Sequence, residues 1–386
     1  MLVGRKYVTH LSPEQEAQAE GFGDACRWVW NAALEQRREA NRWWKRYGEA
    51  WIHPYPGFAV QARQLSGVRA EADWLRAAPS HVLQQTLRDL DRACREHGTN
   101  AVRWRSKHRW NPSFRFPDPA QITVEKVNRR WGRVKLPKLG WIRFRRTRDL
   151  GGAVRNVTVS YRSGKWYVTF CVDDGLPQAQ PNGKPDVGVD RGVVVAAATS
   201  QGRLHDRAFT TAKEEERLVR LQRAKARQVK GSANWHRTKA RIARIHARRA
   251  RRRADFNAKL AEHLTRHHGT VVLEELRVAD MARSAKGAVE QPGKRVRQKA
   301  GLNRAILAKG WGDLARRCEY KARVHGSRLV RVNPAYTSQE CNRCGEVDAK
   351  SRESQAVFAC VSCGHTEHAD VHAAKNVLQR GRTAGS

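Results

Sequence analysis

At 386 residues the chain is long enough to bury the cores of two or three domains. Its 75 Lys+Arg against 37 Asp+Glu leave a formal net charge of +38, while a hydrophobic share of 40% excludes a wholly disordered basic tail. The longest apolar run, Val193 to Ala198, is far too short for a bilayer, and Met1 to His10 lacks the apolar stretch of a secretory signal. Self-repulsion at this charge opposes the compact state, and nucleic acid would relieve it, since each neutralised phosphate also releases counterions. The expectation is a soluble, cytoplasmic protein with no membrane partner that works on the nucleoid.

The first hundred residues read mainly as helix. Cys26, Val29, Trp30, Ala33 and Leu34 recur at three- and four-residue steps, with Arg37, Arg38, Arg42 and Lys45 expected on the solvated far side. Ser80, after Pro79, starts a second helix whose stripe is Val82, Leu83, Thr86, Leu87, Leu90 and Ala93, and Gly98 closes it. From Phe114 to Val172 the pattern turns to short strands. The clearest hairpin joins Val157–Tyr161 to Trp166–Phe170 through Arg162, Ser163 and Gly164. This predicts a small, strongly basic β-barrel or sheet. Its Trp131, Trp141 and Trp166 suit either a base-stacking surface or an ordinary buried face.

Gly175 to Pro185 is the main connector. Beyond it, Val187–Asp190 and Val193–Thr199 are two apolar runs, and Lys213 to His268 predicts two long basic helices broken near Gly231 and Ser232. Arg248, Arg249, Arg251, Arg252 and Arg253 crowd one stretch of the second helix, where like charges repel, so that face is assigned to phosphate contact. Val271–Leu273 reads as a buried strand, Ala282 to Lys299 as a loop, Asn303 to His325 as a helix and Leu329–Val332 as a strand. The succession is α/β.

Three carboxylates invite chemistry. Asp190 and Glu274 each end an apolar strand, and Asp370 precedes a helix through Ala373, Ala374, Val377 and Leu378. Acids meeting at the rim of a sheet need hard cations, and Mg²⁺ takes oxygen ligands while keeping waters for reaction. Spacing alone does not choose these three over Asp186, Glu275 or Asp280. The sharper signal is Cys341, Cys344, Cys360 and Cys363, two CxxC pairs separated by fifteen residues. That spacing suits a tetrahedral, structural Zn²⁺ with no open position. The nearby His365 and His368 are spare ligand candidates that, beside four cysteines, read as surface or backbone-contacting residues, and Cys26, Cys94, Cys171 and Cys318 read as small apolar fillers.

Gly188–Val193 resembles the first RuvC motif of the TnpB family, transposon-encoded relatives of type V CRISPR effectors. Val272–Leu276, with Met281 downstream, resembles the second motif, Pro334–Gln339 the entry to the zinc module, and Ala369–Asn376 the third. Trp311–Gly312 and Tyr320–Ala322 also fit, and Trp28–Asn31 matches more weakly. Arg191 stands where many relatives have an apolar residue, and His372 where Asn is common.

The resemblance implies an α/β RNase H-like (RuvC) nuclease domain with an inserted zinc module, plus an N-terminal β-barrel wedge and a helical recognition insert. The boundaries it suggests are 1–18 and 106–180 for the wedge, 19–105 for the insert, 184–337 and 367–386 for the nuclease, and 338–366 for the zinc module. It implies an RNA-guided, Mg²⁺-dependent DNA endonuclease that cuts beside a short protein-read motif with Asp190, Glu274 and Asp370. The partners it implies are a guide RNA from the chain's own element and double-stranded target DNA, with a homo-oligomer left open. Two alternatives are an RNA-guided DNA binder or repressor without cleavage, and a structure-selective RuvC-like nuclease without guide RNA.

Overall fold

The computed structural model describes residues 1–48, 56–107, 110–177, 179–287 and 290–383. The chain divides between Leu176 and Pro177 into two units, inside the Gly175–Pro185 connector.

In the first unit a strand, β1 (Leu2–His10), leads into a long helix, α1 (Pro13–Tyr47). A capping box starts α1: the Ser12 side chain accepts from the Gln15 N–H, and the Gln15 side chain accepts from the Ser12 N–H. The predicted stripe from Cys26 to Leu34 is buried, but it does not stop there. Arg37, expected on the solvated side, is only 2% exposed. It lies three residues beyond Leu34 on the same face. Its Nη1 is 2.9 Å from Asp91 Oδ1, and Nε and Nη2 donate to Gln61 Oε1 at 3.1 and 3.0 Å. Gln61 belongs to α2 (Phe58–Glu71), which is followed by α3 (Asp73–Ala77); Asp91 belongs to α4 (Ser80–His97). A charge placed on the buried face is thus satisfied by two neighbouring helices.

The strands of this unit are β2 (Ser113–Phe116), β3 (Thr123–Lys126), β4 (Trp131–Leu136), β5 (Gly140–Arg145), β6 (Ala153–Arg162) and β7 (Lys165–Asp173). With β1 they form an antiparallel seven-stranded sheet in the order β2-β6-β7-β1-β5-β4-β3. Of the expected barrel or sheet, the strand pairing gives a sheet with two edges, β2 and β3, which do not pair with each other among the described residues. The predicted hairpin is β6–β7, with Tyr161 opposite Trp166. Ser163 and Gly164 both have positive φ, 52° and 80°, the twist that a two-residue hairpin loop needs. Trp166 is 3% exposed and packs in the core, so it offers no stacking face.

The second unit begins with β8 (Val187–Asp190), β9 (Ala197–Thr199) and β10 (Leu204–His205), followed by α5 (Ala212–Arg227), α6 (Ala233–His267) and β11 (Thr270–Glu274). Then come α7 (Val278–Met281), α8 (Val296–Lys309), α9 (Trp311–His325), β12 (Arg328–Val332), β13 (Val357–Ala359), β14 (Thr366–His368) and α10 (Ala369–Thr383). The main sheet has the order β10-β9-β8-β11-β12. β8, β11 and β12 run parallel, whereas β9 is antiparallel to β8 and β10 to β9.

Strand β11 is buried on both faces, which is why it reads as an unbroken apolar run. Val271 and Leu273 join a core with Leu260, Leu264 and Leu314, and Val272 joins Val332 and Val377 on the other side. Gly188 in β8 allows α10 to approach closely, because a Cβ there would come within 2.1 Å of the Ala374 carbonyl oxygen.

The single helix expected from Asn303 to His325 is two helices, and the first begins inside the expected Ala282–Lys299 loop. Gly310 breaks them at φ 71°. Asn257 of α6 donates to the Gly310 carbonyl at 3.2 Å, and Arg253 donates to the Leu307 carbonyl at 2.7 Å, so α6 supplies the partners that the end of α8 lacks. No helix among the described residues is long and apolar enough to cross a membrane.

Candidate active site and metal centre

β8 and β11 are parallel neighbours with Val189 opposite Leu273, so Asp190 and Glu274 leave the same end of the sheet. Asp370 is the second residue of α10, which packs on β8. All three acids line one cavity of about 880 Å³, with Arg191, Trp311, Thr337 and Arg352. Burial, then repulsion from Glu274 and Asp370, pushes the Asp190 carboxyl up to about 7 against the opposing pull of Arg352 and the Arg191 N–H. Burial also raises Glu274, opposed by a hydrogen bond from Thr337 and by the charge of Arg191. The rejected neighbours sort by position. Asp186 sits just before β8 at its far end, Asp280 is exposed and paired to Arg283 at 2.7 Å, and Glu275 reaches the cavity but is exposed.

The chemistry of this donor set fits hard divalent cations. Its three carboxylates share one cavity in which Glu274 and Asp370 repel Asp190, and a cation would offset both the burial and the repulsion that hold Asp190 up. Three further residues support the site, none of which the sequence marks as a partner of the acids. The Thr337 hydroxyl donates to Glu274 Oε1 at 2.6 Å, and Asp370 Oδ1 lies 3.3 Å from Arg352 Nη2. Arg191, 5% exposed, donates to the backbone carbonyls of Glu274 and Trp311. Thr337 lay inside the Pro334–Gln339 motif, and nothing local marked it as a carboxylate partner.

The four clustered cysteines do converge. Their ligand atoms all lie within 4.8 Å of one another. Cys341 Sγ is 3.7 Å from Cys363 Sγ, and Cys344 Sγ is 3.6 Å from Cys360 Sγ. Four thiolates at the usual Zn–S distance in a tetrahedron stand about 3.8 Å apart, so the cluster fits Zn²⁺. The Cys363 N–H is foremost in holding the Cys360 thiol down, to about 6. Cys344, despite the Glu346 N–H, is pushed up to about 12 by desolvation and its three sulfur neighbours. Without a cation the sulfurs cannot all ionise; a dication lets them.

The arginine cluster on α6 divides. Arg248 and Arg252 pair with Glu214 of α5, and Arg253 caps α8. Arg251 is exposed and Arg249 half-buried. His368, read as surface or backbone-contacting, accepts at Nδ1 from the Asp370 N–H at 3.2 Å. Cys26, Cys94 and Cys318 are buried, and Cys171 is partly so.

Three family profiles match the chain: "Probable transposase" (OrfB_IS605) over residues 153–285, "Cas12f1-like, TNB domain" over 311–377, and "Helix-turn-helix domain" (HTH_OrfB_IS605) over 1–48. In the structure the last span holds one strand and one long helix, β1 and α1. The chain is 37% identical to "Putative RNA-guided DNA endonuclease InsQ" of Escherichia coli (strain K12), covering 97% of this chain and 91% of that protein. It is 31% identical to "Putative RNA-guided DNA endonuclease" of Streptomyces pristinaespiralis, covering 99% and 90%. A chain of the Cas12f1–sgRNA–target DNA complex shares its fold at TM-score 0.50, with 12% identity over 98% of both chains. The protein belongs to the TnpB family.

Proposed function

We propose that this chain is an RNA-guided, metal-dependent DNA endonuclease that cuts double-stranded DNA beside a short motif read by the protein. The observation that carries the reading is the convergence of Asp190, Glu274 and Asp370 on one cavity, in a chain whose full-length relatives bear the name of RNA-guided DNA endonucleases. A sheet ordered β10-β9-β8-β11-β12, with only its second strand reversed among the inner ones, supports the RNase H-like reading of residues 184–337 and 367–386. The sheet and helices of the first unit suit the wedge at 1–18 and 106–180 and the recognition insert at 19–105. Residues 338–366 are the zinc module, with Zn²⁺ on the four cysteines.

Asp190, Glu274 and Asp370 would hold Mg²⁺, which supplies an activated water and neutralises the departing oxygen of a phosphodiester. Thr337 fixes the rotamer of Glu274 through its 2.6 Å hydrogen bond. Arg191 braces the backbone behind Glu274, tying it to the start of α9. Arg352 balances part of the charge beside Asp370 and is placed to meet a phosphate. The net charge of +38 suits a body that holds a guide RNA and a DNA duplex together.

The test is to purify the protein with its bound RNA, sequence that RNA, and supply DNA matching its guide segment. The expected result is guide-directed cleavage that Asp190→Ala abolishes while RNA and DNA binding persist. An RNA-free preparation that still cuts would point to a structure-selective nuclease. Equal loss of binding and cleavage in the variant would make Asp190 a structural acid.

A further inference from the structure

We propose a third metal site, separate from the four cysteines and the three acids, formed by His365 Nε2, Glu367 Oε2 and His372 Nδ1. Sequence reads His365 as a surface or backbone-contacting residue, yet these three atoms are buried and none has a hydrogen-bond partner. His372 is 0% exposed. Its Nε2 is 2.9 Å from the Glu340 carbonyl oxygen. A carbonyl only accepts, so Nε2 carries a proton, and in the neutral ring Nδ1 then presents a bare lone pair. That lone pair faces Glu367 Oε2 at 3.6 Å, and Oε2 faces His365 Nε2 at 3.7 Å. Two acceptors aimed at each other in a buried place repel, and a cation between them removes the conflict.

The site is also held in place. Lys375 engages the other oxygen of Glu367, Oε1, which leaves Oε2 free. The Phe358 ring stacks on His372 with centroids 3.6 Å apart and planes at 14°. All three ligand atoms lie within 4.8 Å of one another. Zn²⁺ at its usual distances from nitrogen and oxygen sets neighbouring ligands about 3.3–3.5 Å apart, a small contraction from the 3.6 and 3.7 Å that separate Glu367 from the two imidazoles. Two imidazoles and one carboxylate suit Zn²⁺ or a similar transition-metal dication, and suit Mg²⁺ poorly. Glu367 lies on β14, just after the last cysteine, whereas His372 lies on α10 two residues past Asp370. An ion there clips the cysteine module to the helix that carries Asp370.

The experiment uses the full-length protein, loaded with Zn²⁺, desalted and analysed for metal. Two Zn²⁺ per chain are expected, falling to one in His372→Asn and one in Glu367→Gln. Loading the same proteins with Co²⁺ gives a thiolate charge-transfer band that reports the cysteine cluster alone. It should persist in both variants, which shows that the module remains folded. One Zn²⁺ per chain in the unaltered protein with the thiolate band intact would overturn the proposal, leaving a proton-bridged His–Glu–His cluster. Two Zn²⁺ retained by both variants would overturn it equally.

Discussion

The Thr337 hydroxyl donates a 2.6 Å hydrogen bond to Glu274 Oε1, and Asn376 of α10 donates to the Thr337 carbonyl at 2.9 Å. The acid at the end of β11 is thus oriented by a loop that the third-motif helix holds. If Glu274 holds the proposed Mg²⁺, the threonine that aims it contributes through geometry alone. Thr337→Val should raise the Mg²⁺ concentration for half-maximal cleavage, or lower cleavage itself, by about 10- to 100-fold, and Thr337→Ser should restore it. A Mg²⁺ titration of cleavage checks this; an unchanged profile would make the hydrogen bond incidental.

The raised Asp190 carboxyl makes the metal-free protein sensitive to pH. Its folded-state value of about 7 lies above the ordinary 3.8, so the unfolded chain gives up this proton first as pH rises. The favourable contribution is fully present below about pH 4 and is lost as pH rises through 7. Metal-free protein should therefore lose stability over that window, and Asp190→Asn should flatten the loss. Mg²⁺ competes with the proton, so its stabilising effect should be larger at pH 8 than at pH 5.5. Thermal melts with and without Mg²⁺ at each pH test both statements.

Cys360 is buried and Cys344 exposed, but both are needed to complete four ligands. Cys360→Ser should remove the cysteine-bound Zn²⁺ and leave residues 338–366 open to protease, because little else holds so small a module together. Limited proteolysis and the cobalt thiolate band measure this. A resistant module without the band would show that the zinc is dispensable for folding.

Arg37 is enclosed by Asp91 and Gln61. Arg37→Ala leaves the buried Gln61 amide oxygen without its donor and Asp91 with only the exposed Arg95, which should cost about 3 kcal/mol in urea unfolding, the low end for a broken buried pair because Asp91 keeps Arg95 and some solvent contact. A loss below about 1 kcal/mol would mean that α1, α2 and α4 repack around the gap.

Within the arginine cluster the variants should separate. Arg251→Ala, at an exposed position, should leave the melting temperature unchanged and lower the slope of log affinity against log salt for RNA or DNA by about 0.9. Arg252→Ala should lower stability, since it unties Glu214. Equal effects in the two variants would contradict the division of this face.

Much of the fold is legible in the sequence because it is local. The α1 and α4 stripes follow helical spacing, the β6–β7 hairpin follows alternation around Ser163 and Gly164, and the cysteine spacing anticipates the cluster that forms. The α8–α9 break was missed because Gly310 inside a helical pattern is tolerable on its own. The break takes shape where Arg253 and Asn257, over fifty residues away, meet the carbonyls it frees.

Sequence by itself determined the charge, the periodic cores and the order of motifs, since each depends on neighbours along the chain. The tertiary structure alone decided that Asp190, Glu274 and Asp370 share a cavity while Asp186 and Asp280 do not, that Arg37 is buried, and that His365, Glu367 and His372 face one another. Each of these depends on which distant residue occupies the space beside a side chain. Burial and charge compensation are set there, and no window of sequence contains them.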